Sequence, residues 1–147
     1  MSAFTTAEIE YLRGQPLGRL ATVGPDGRPQ VKPVGFLLDP ETDELVVGGY
    51  AGSGMATSKK FRDIAASGVA ALVVDDVATV DPWTPRGVEV RGVAEACTAG
   101  GAEIGKRLGA SFDFDPAFIL VRPTRIVSWG IDGSSYEVSA RDAVRVG

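Results

Sequence analysis

The chain has 147 residues, 44% of them hydrophobic and 23% charged, which suits one soluble globular domain over residues 1–147 with a full core. A net charge of −4 argues against nucleic-acid binding through phosphate neutralisation, and the absence of histidine excludes Ser-His-Asp and Cys-His hydrolases and argues against a metal site, so redox or group-transfer chemistry would fall to a bound cofactor. No apolar run approaches the roughly 18 residues of a membrane span, no secretory signal opens the chain, and Cys97 has no disulfide partner, all of which favours the cytoplasm and no membrane.

Thr5 and Glu8 have the spacing of a capping box, with Phe4 and Ile9 as its hydrophobic staple, and predict a helix to about Arg13 that Gly14 stops. Residues 17–23 and 28–38 read as strands joined by a turn at Pro25-Asp26-Gly27. A polar turn over 39–43 leads to a third strand, 44–48, and residues 49–56 lack periodicity and read as a flexible loop. A helix fits 58–66. Residues 69–74 form an apolar run of buried-strand length, after which Asp75-Asp76 reads as a turn. Pro82, Trp83 and Pro85 make 77–86 irregular. Residues 87–96 alternate, with Val88, Val90, Ala94 and Ala96 on one face and Glu89, Arg91 and Glu95 on the other, as a strand with one wet side does. A short helix suits 101–108, and 118–121 and 125–131 read as the last strands. The polar tail, 134–147, has Tyr136, Val138, Val144 and Val146 to dock it. Six or seven hairpin-linked strands with short helices predict a mainly β fold, an antiparallel barrel with helices at its ends. The βαβ alternation of a doubly wound fold is missing, and Gly48, Gly49, Gly52 and Gly54 match neither a dinucleotide nor a Walker loop.

Two segments break the rules of the elements they occupy. Gln30, Val31, Lys32 and Pro33 put an amide, a cation and a proline in a run that otherwise resembles core. Pro33 cannot donate a ladder hydrogen bond, so the strand is an edge, a bulge or a place where backbone meets a ligand. In the second segment Thr57 and Ser58 supply an N-cap, and Lys59, Lys60 and Arg62 follow in the first turn, where the helix dipole disfavours cations. A solvated basic face accounts for that run, and so does a bound anion on which backbone N–H groups, hydroxyls and lysines converge. Trp83, in a proline-bounded loop, suits covering a planar ring. Trp129, inside a strand pattern, reads as core.

The ordered set LGRLATVGPDGRPQVKPVGF, TSKKFRD, VAALVVDD, DPWTPRGVEVRGVAEA, RIVSWGID and SARD resembles the pyridoxamine 5'-phosphate oxidase-like split β-barrel family over about residues 4–142. More narrowly, it is similar to the branch of actinobacterial proteins that use the deazaflavin coenzyme F420. The resemblance implies a six-stranded antiparallel split barrel with short flanking helices, and a homodimer with two cofactors in grooves at its interface. It implies that Gln30, Val31, Lys32 and Pro33 line the flavin-like ring, that Thr57, Ser58, Lys59 and Lys60 hold the cofactor phosphate, and that Trp83 comes from the second chain. No residue need act as a covalent catalyst in such a protein. The loop 50–56 is longer than is usual before the lysine pair, which bears on Tyr50 and Met55 as cofactor contacts.

The leading expectation is therefore an oxidoreductase that transfers hydride from reduced F420 to a small conjugated molecule. An FMN-dependent oxidase or reductase on the same barrel is the alternative enzyme, since both cofactors carry a ring, a ribityl chain and a phosphate. A non-catalytic cofactor-binding protein and a plain structural domain are the remaining readings.

Overall fold

The computed structural model describes residues 2–132 and 137–143. Helix α1, Thr6–Arg13, starts at the predicted capping box: the Glu8 N–H donates to Thr5 Oγ1 at 3.1 Å and the Thr5 N–H donates to Glu8 Oε1 at 2.8 Å. Phe4 is buried and Ile9 packs on the same cluster. Eight strands follow: β1 Gly18–Val23, β2 Pro29–Val34, β3 Leu37–Leu38, β4 Leu45–Tyr50, β5 Val69–Val77, β6 Pro85–Cys97, β7 Phe114–Trp129 and β8 Val138–Asp142. Helix α2, Lys59–Ser67, precedes β5, and α3, Gly101–Arg107, precedes β7.

All pairings are antiparallel, in the order β2-β1-β5-β6-β7-β4-β3, with β8 added on β7. The two ends of that order, β2 and β3, are separated in the chain only by Gly35 and Phe36. One segment thus crosses from one edge of the sheet to the other, which curls the sheet into the split barrel. The interior holds Leu20, Leu45, Leu72, Val90, Ile119 and Ile126, each at most 1% exposed, and α1 and α2 add Leu12, Phe61 and Ile64. At about 1.5–3 kcal/mol for each fully buried aliphatic side chain, this core is the main source of stability. A smaller cluster of Val46, Phe114 and Phe118 seats α3 on the opposite face of β4 and β7.

Among the described residues the sheet has eight strands where six were expected. The expected strand 28–38 breaks at Gly35–Phe36, and the two expected last strands are one, β7, with a register shift against Arg91 and Gly92 of β6. Pro123 lies opposite Gly92 at that shift, where a missing N–H does least harm to the ladder. Asp75 and Asp76 are not a turn; they lie within β5, paired across the sheet with Gly87 and Arg86. Part of the polar tail is strand β8, while Tyr136, Val144 and Val146 lie outside the described residues. Trp129 is not core: its indole covers Gly87, where a Cβ would stand 2.4 Å from the ring. Residues 49–56 are held rather than loose. Strand β4 runs to Tyr50, the Ala51 N–H donates to Asp113 O at 2.8 Å, the Gly52 N–H donates to Asp115 Oδ1 at 3.2 Å, and a 3-10 turn forms over Met55–Thr57.

Candidate active site

Strand alternation divides the predicted ring wall in two. In β2, Gln30 pairs with Thr22 and Lys32 with Leu20, on the side of the buried face of β1. Val31 pairs with Ala21 and Pro33 with Arg19, on the outside of the sheet. Val31 is 63% exposed there, and Val23, Val69 and Val93 are exposed on the same outer face.

The start of α2 sits at the inner side of β1 and β2. Ser58 is its N-cap; its hydroxyl accepts from the Phe61 N–H at 3.4 Å and donates to Met55 O at 2.7 Å. Thr57 donates its hydroxyl to Gly54 O at 2.9 Å. Helical geometry leaves the first-turn N–H groups of Lys59 and Lys60 without intrahelical acceptors.

The two lysines are used differently. Lys59 Nζ donates to both oxygens of Asp63, at 3.0 and 3.2 Å, and passes over Gly24, where a Cβ would stand 3.2 Å from the ammonium. Asp63 is 3% exposed and also accepts from Thr22 Oγ1 at 2.9 Å. Burial pushes the Asp63 carboxyl up, but the Lys59 and Thr22 hydrogen bonds outweigh it and hold the group below its usual range. Lys60 and Lys32 have no ion pair among the described residues. Burial, and then the charge of Lys32, push the Lys60 ammonium below its ordinary value. Two ammonium groups near one another without a carboxylate among the described residues fit an anion such as a phosphate, whose charge would offset both effects.

Past Pro33 the same segment forms the wall of a cleft of about 600 Å³. Gly35, Phe36 and Leu37 line one side, Leu12 the end of α1, and Leu108 and Phe112 the connection from α3 to β7. The residues from 30 to 38 therefore run from a cationic end to an apolar hollow. Sequence reasoning missed this cleft because three distant segments build it. It also missed Asp63, although the i,i+4 spacing from Lys59 was a signal.

Trp83 is not brought to this site within one chain. It is 67% exposed in the connection between β5 and β6, beyond the Val77–Pro85 pair, while Lys32 lies in the row through Leu20 and Leu72. Five strand positions separate that row from Val77, roughly 17 Å at 3.3–3.4 Å per residue. Tyr50 is exposed beside the cleft-forming loop, and Met55, 4% exposed, belongs to the core and offers no ligand contact.

At the far end of β5, Asp76 accepts from Tyr11 Oη at 2.7 Å and from Arg86 Nε and Nη2 at 2.9 and 2.6 Å. The Arg86 guanidinium is the chief reason its carboxyl is pulled down to about 2. Burial and the bond to Asp76 push the Tyr11 phenol up.

The family described as pyridoxamine 5'-phosphate oxidase matches residues 4–129. Over 140 residues, 95% of this chain and 92% of the relative, the sequence is 43% identical to a 5a,11a-dehydrotetracycline/5a,11a-dehydrooxytetracycline reductase of Streptomyces rimosus. Among solved structures, an F420 reductase superposes with a TM-score of 0.56 at 28% identity, covering 80% of this chain and 94% of that one. HupZ of Group A Streptococcus superposes with a TM-score of 0.69 at 17% identity, covering 91% and 98%, and shares the fold.

Proposed function

The chain belongs to the pyridoxamine 5'-phosphate oxidase family, and from that premise we propose that it is an oxidoreductase using F420 to reduce a conjugated small molecule. The observation that carries this reading is the Lys32–Lys60 couple at the start of α2, two neighbouring cations with no carboxylate partner among the described residues. When bound, the deazaflavin supplies a hydride and the protein need supply no covalent catalyst. Lys60, Lys32 and the first N–H groups of α2 would hold its phosphate, and Gln30 would lie against its ring. The cleft holds the substrate against the ring and keeps bulk water from it. Lys59 acts behind this layer by fixing Asp63 and the helix start.

Val31, Pro33 and Trp83 join such a site only in a homodimer. The exposed face of Val23, Val31, Val69 and Val93 is the surface for a second copy, whose Trp83 then reaches the groove. The similarity to a reductase of dehydrotetracyclines makes fused-ring enones the first substrates to examine.

Titrating the protein into F420 and following cofactor fluorescence tests the reading. Micromolar or tighter quenching is expected, and reduced F420 should then be consumed with a dehydrotetracycline. Tight FMN binding with no F420 quenching would move the assignment to an FMN enzyme. F420 binding without turnover across an enone and quinone panel would leave a cofactor-binding protein.

A further inference from the structure

Nineteen acidic residues give the chain its net charge of −4, yet no carboxylate lines the cleft among the described residues, and two arginines do. Arg107 is committed elsewhere: its Nη2 donates to Asp39 at 2.8 Å and its Nη1 lies 3.9 Å from Glu41. Arg13, in the last turn of α1, is exposed and makes no hydrogen bond or ion pair among the described residues. It stands beside Leu12, which is 1% exposed and closes the apolar end. A cation at a helix C-terminus is comfortable with the dipole, which accounts for its presence there but not for a cleft without any opposite charge.

We infer that the cleft selects substrates that are flat and apolar but carry an ionised oxygen, a phenolate, enolate or carboxylate, and that Arg13 is the residue that reads that charge. The inference rests on the reading of the cleft as the substrate side of the cofactor. Ligand burial against Phe36, Leu108 and Phe112 supplies affinity without orientation. A fork of guanidinium donors at the rim supplies the orientation, because it pairs with one edge of the molecule and leaves the other edge at the inner end of the cleft. Cationic substrates are rejected by the same charge.

Two dyes with the same aromatic body, anionic anilinonaphthalenesulfonate and neutral phenylnaphthylamine, test this by fluorescence titration. Arg13→Gln should weaken the sulfonate about tenfold and the neutral dye less than about twofold, and Arg13→Lys should retain most of the preference. Ser111→Trp, at an exposed cleft position, should weaken both. With reduced F420 and an acidic enone, Arg13→Gln should raise KM and leave kcat unchanged. An unchanged sulfonate titration in Arg13→Gln, an equal loss for both dyes, or full binding of both to Ser111→Trp would overturn the inference. So would a loss of F420 affinity in Arg13→Gln with the sulfonate unaffected, since the anion would then be the cofactor's own tail. A wild-type protein that discriminates the dyes as expected but fails to quench F420 would overturn the proposed function and leave the cleft's preference standing.

Discussion

Glu8 and Asp76, near α1, each have an arginine in bidentate contact, whereas Lys32 and Lys60, where β2 meets α2, have no carboxylate and lie close enough for one charge to disfavour the other. The first arrangement ties together elements far apart in the chain. Arg141 of β8 reaches Glu8 of α1, and Arg86 of β6 reaches Asp76 of β5 beside Tyr11 of α1. The second ties nothing together and costs stability as it stands. A buried charge must be satisfied within the fold, as Glu8 is; Lys32 is exposed and Lys60 half-buried, so their pairing is left to water or to a ligand, and the contrast separates charges that serve the fold from charges open to a ligand.

The largest break in that contrast is expected at Arg141. Glu8 is 1% exposed, and Arg141→Gln leaves its carboxylate buried with only the Thr5 N–H and weaker neighbours. The expected loss is about 3 kcal/mol in urea unfolding. Arg125→Gln, which breaks the exposed pair between Arg125 of β7 and Asp142 of β8, is expected to cost less than about 1 kcal/mol. Equal losses would mean that β8 is held by its ladder and not by the buried pair.

Lys59→Gln comes next. It strips the ammonium from a carboxylate that keeps only the Thr22 hydroxyl, and an expected loss of about 1–3 kcal/mol follows from leaving Asp63 underpaired. If Lys59→Gln unfolds no more readily than wild type but abolishes cofactor binding, then Lys59 belongs with the ligand charges and the division between the two lysines fails.

Asp76 gives a pH signature. Its folded value, about 2, lies below the ordinary 3.8, so the folded state takes up this proton later than the unfolded state. The stabilisation is complete above about pH 5 and is lost as the pH falls from 3.8 toward 2, for a total of about 1–2 kcal/mol after allowance for solvent screening. Arg86→Gln should flatten the fall in melting temperature across that window, with the Glu8 contribution remaining in both proteins. Parallel curves would show that Asp76 is held down by something other than Arg86.

The same division explains what could be read in the sequence. The capping box, the staple and the alternation of β6 were legible because their causes lie within a few residues. Gln30 to Pro33 and Thr57 to Lys60 stood out because they violate local rules, and a violation is visible without knowing its partner. What could not be read depends on distant partners. Asp75 and Asp76 looked like a turn because Arg19 lies 56 residues from Asp75, and Gln15 lies 61 from Asp76. The tail's tie to α1 was not legible because Glu8 lies 133 residues from Arg141. The cleft has no local signature at all, since Leu12, Phe36 and Phe112 are each ordinary where they stand.

The smallest effect is the sharpest test of the comparison, because its sign is opposite to the rest. Burial and Lys32 disfavour the charged form of Lys60, so the free protein should gain stability, by a few tenths to about 1 kcal/mol, when Lys60→Gln removes the charge. Lys32→Gln should do the same, and the double variant should gain less than the sum, because one repulsion cannot be relieved twice. Inorganic phosphate stabilises proteins generally by exclusion from their surface, so the informative quantity is its extra effect in wild type over Lys60→Gln at equal concentration. A positive difference, together with loss of F420 quenching in the more stable variant, places Lys60 among the charges kept for a ligand. If Lys60→Gln instead destabilises the protein and phosphate acts on both alike, the lysine serves the fold, and the couple with Lys32 no longer argues for an anion.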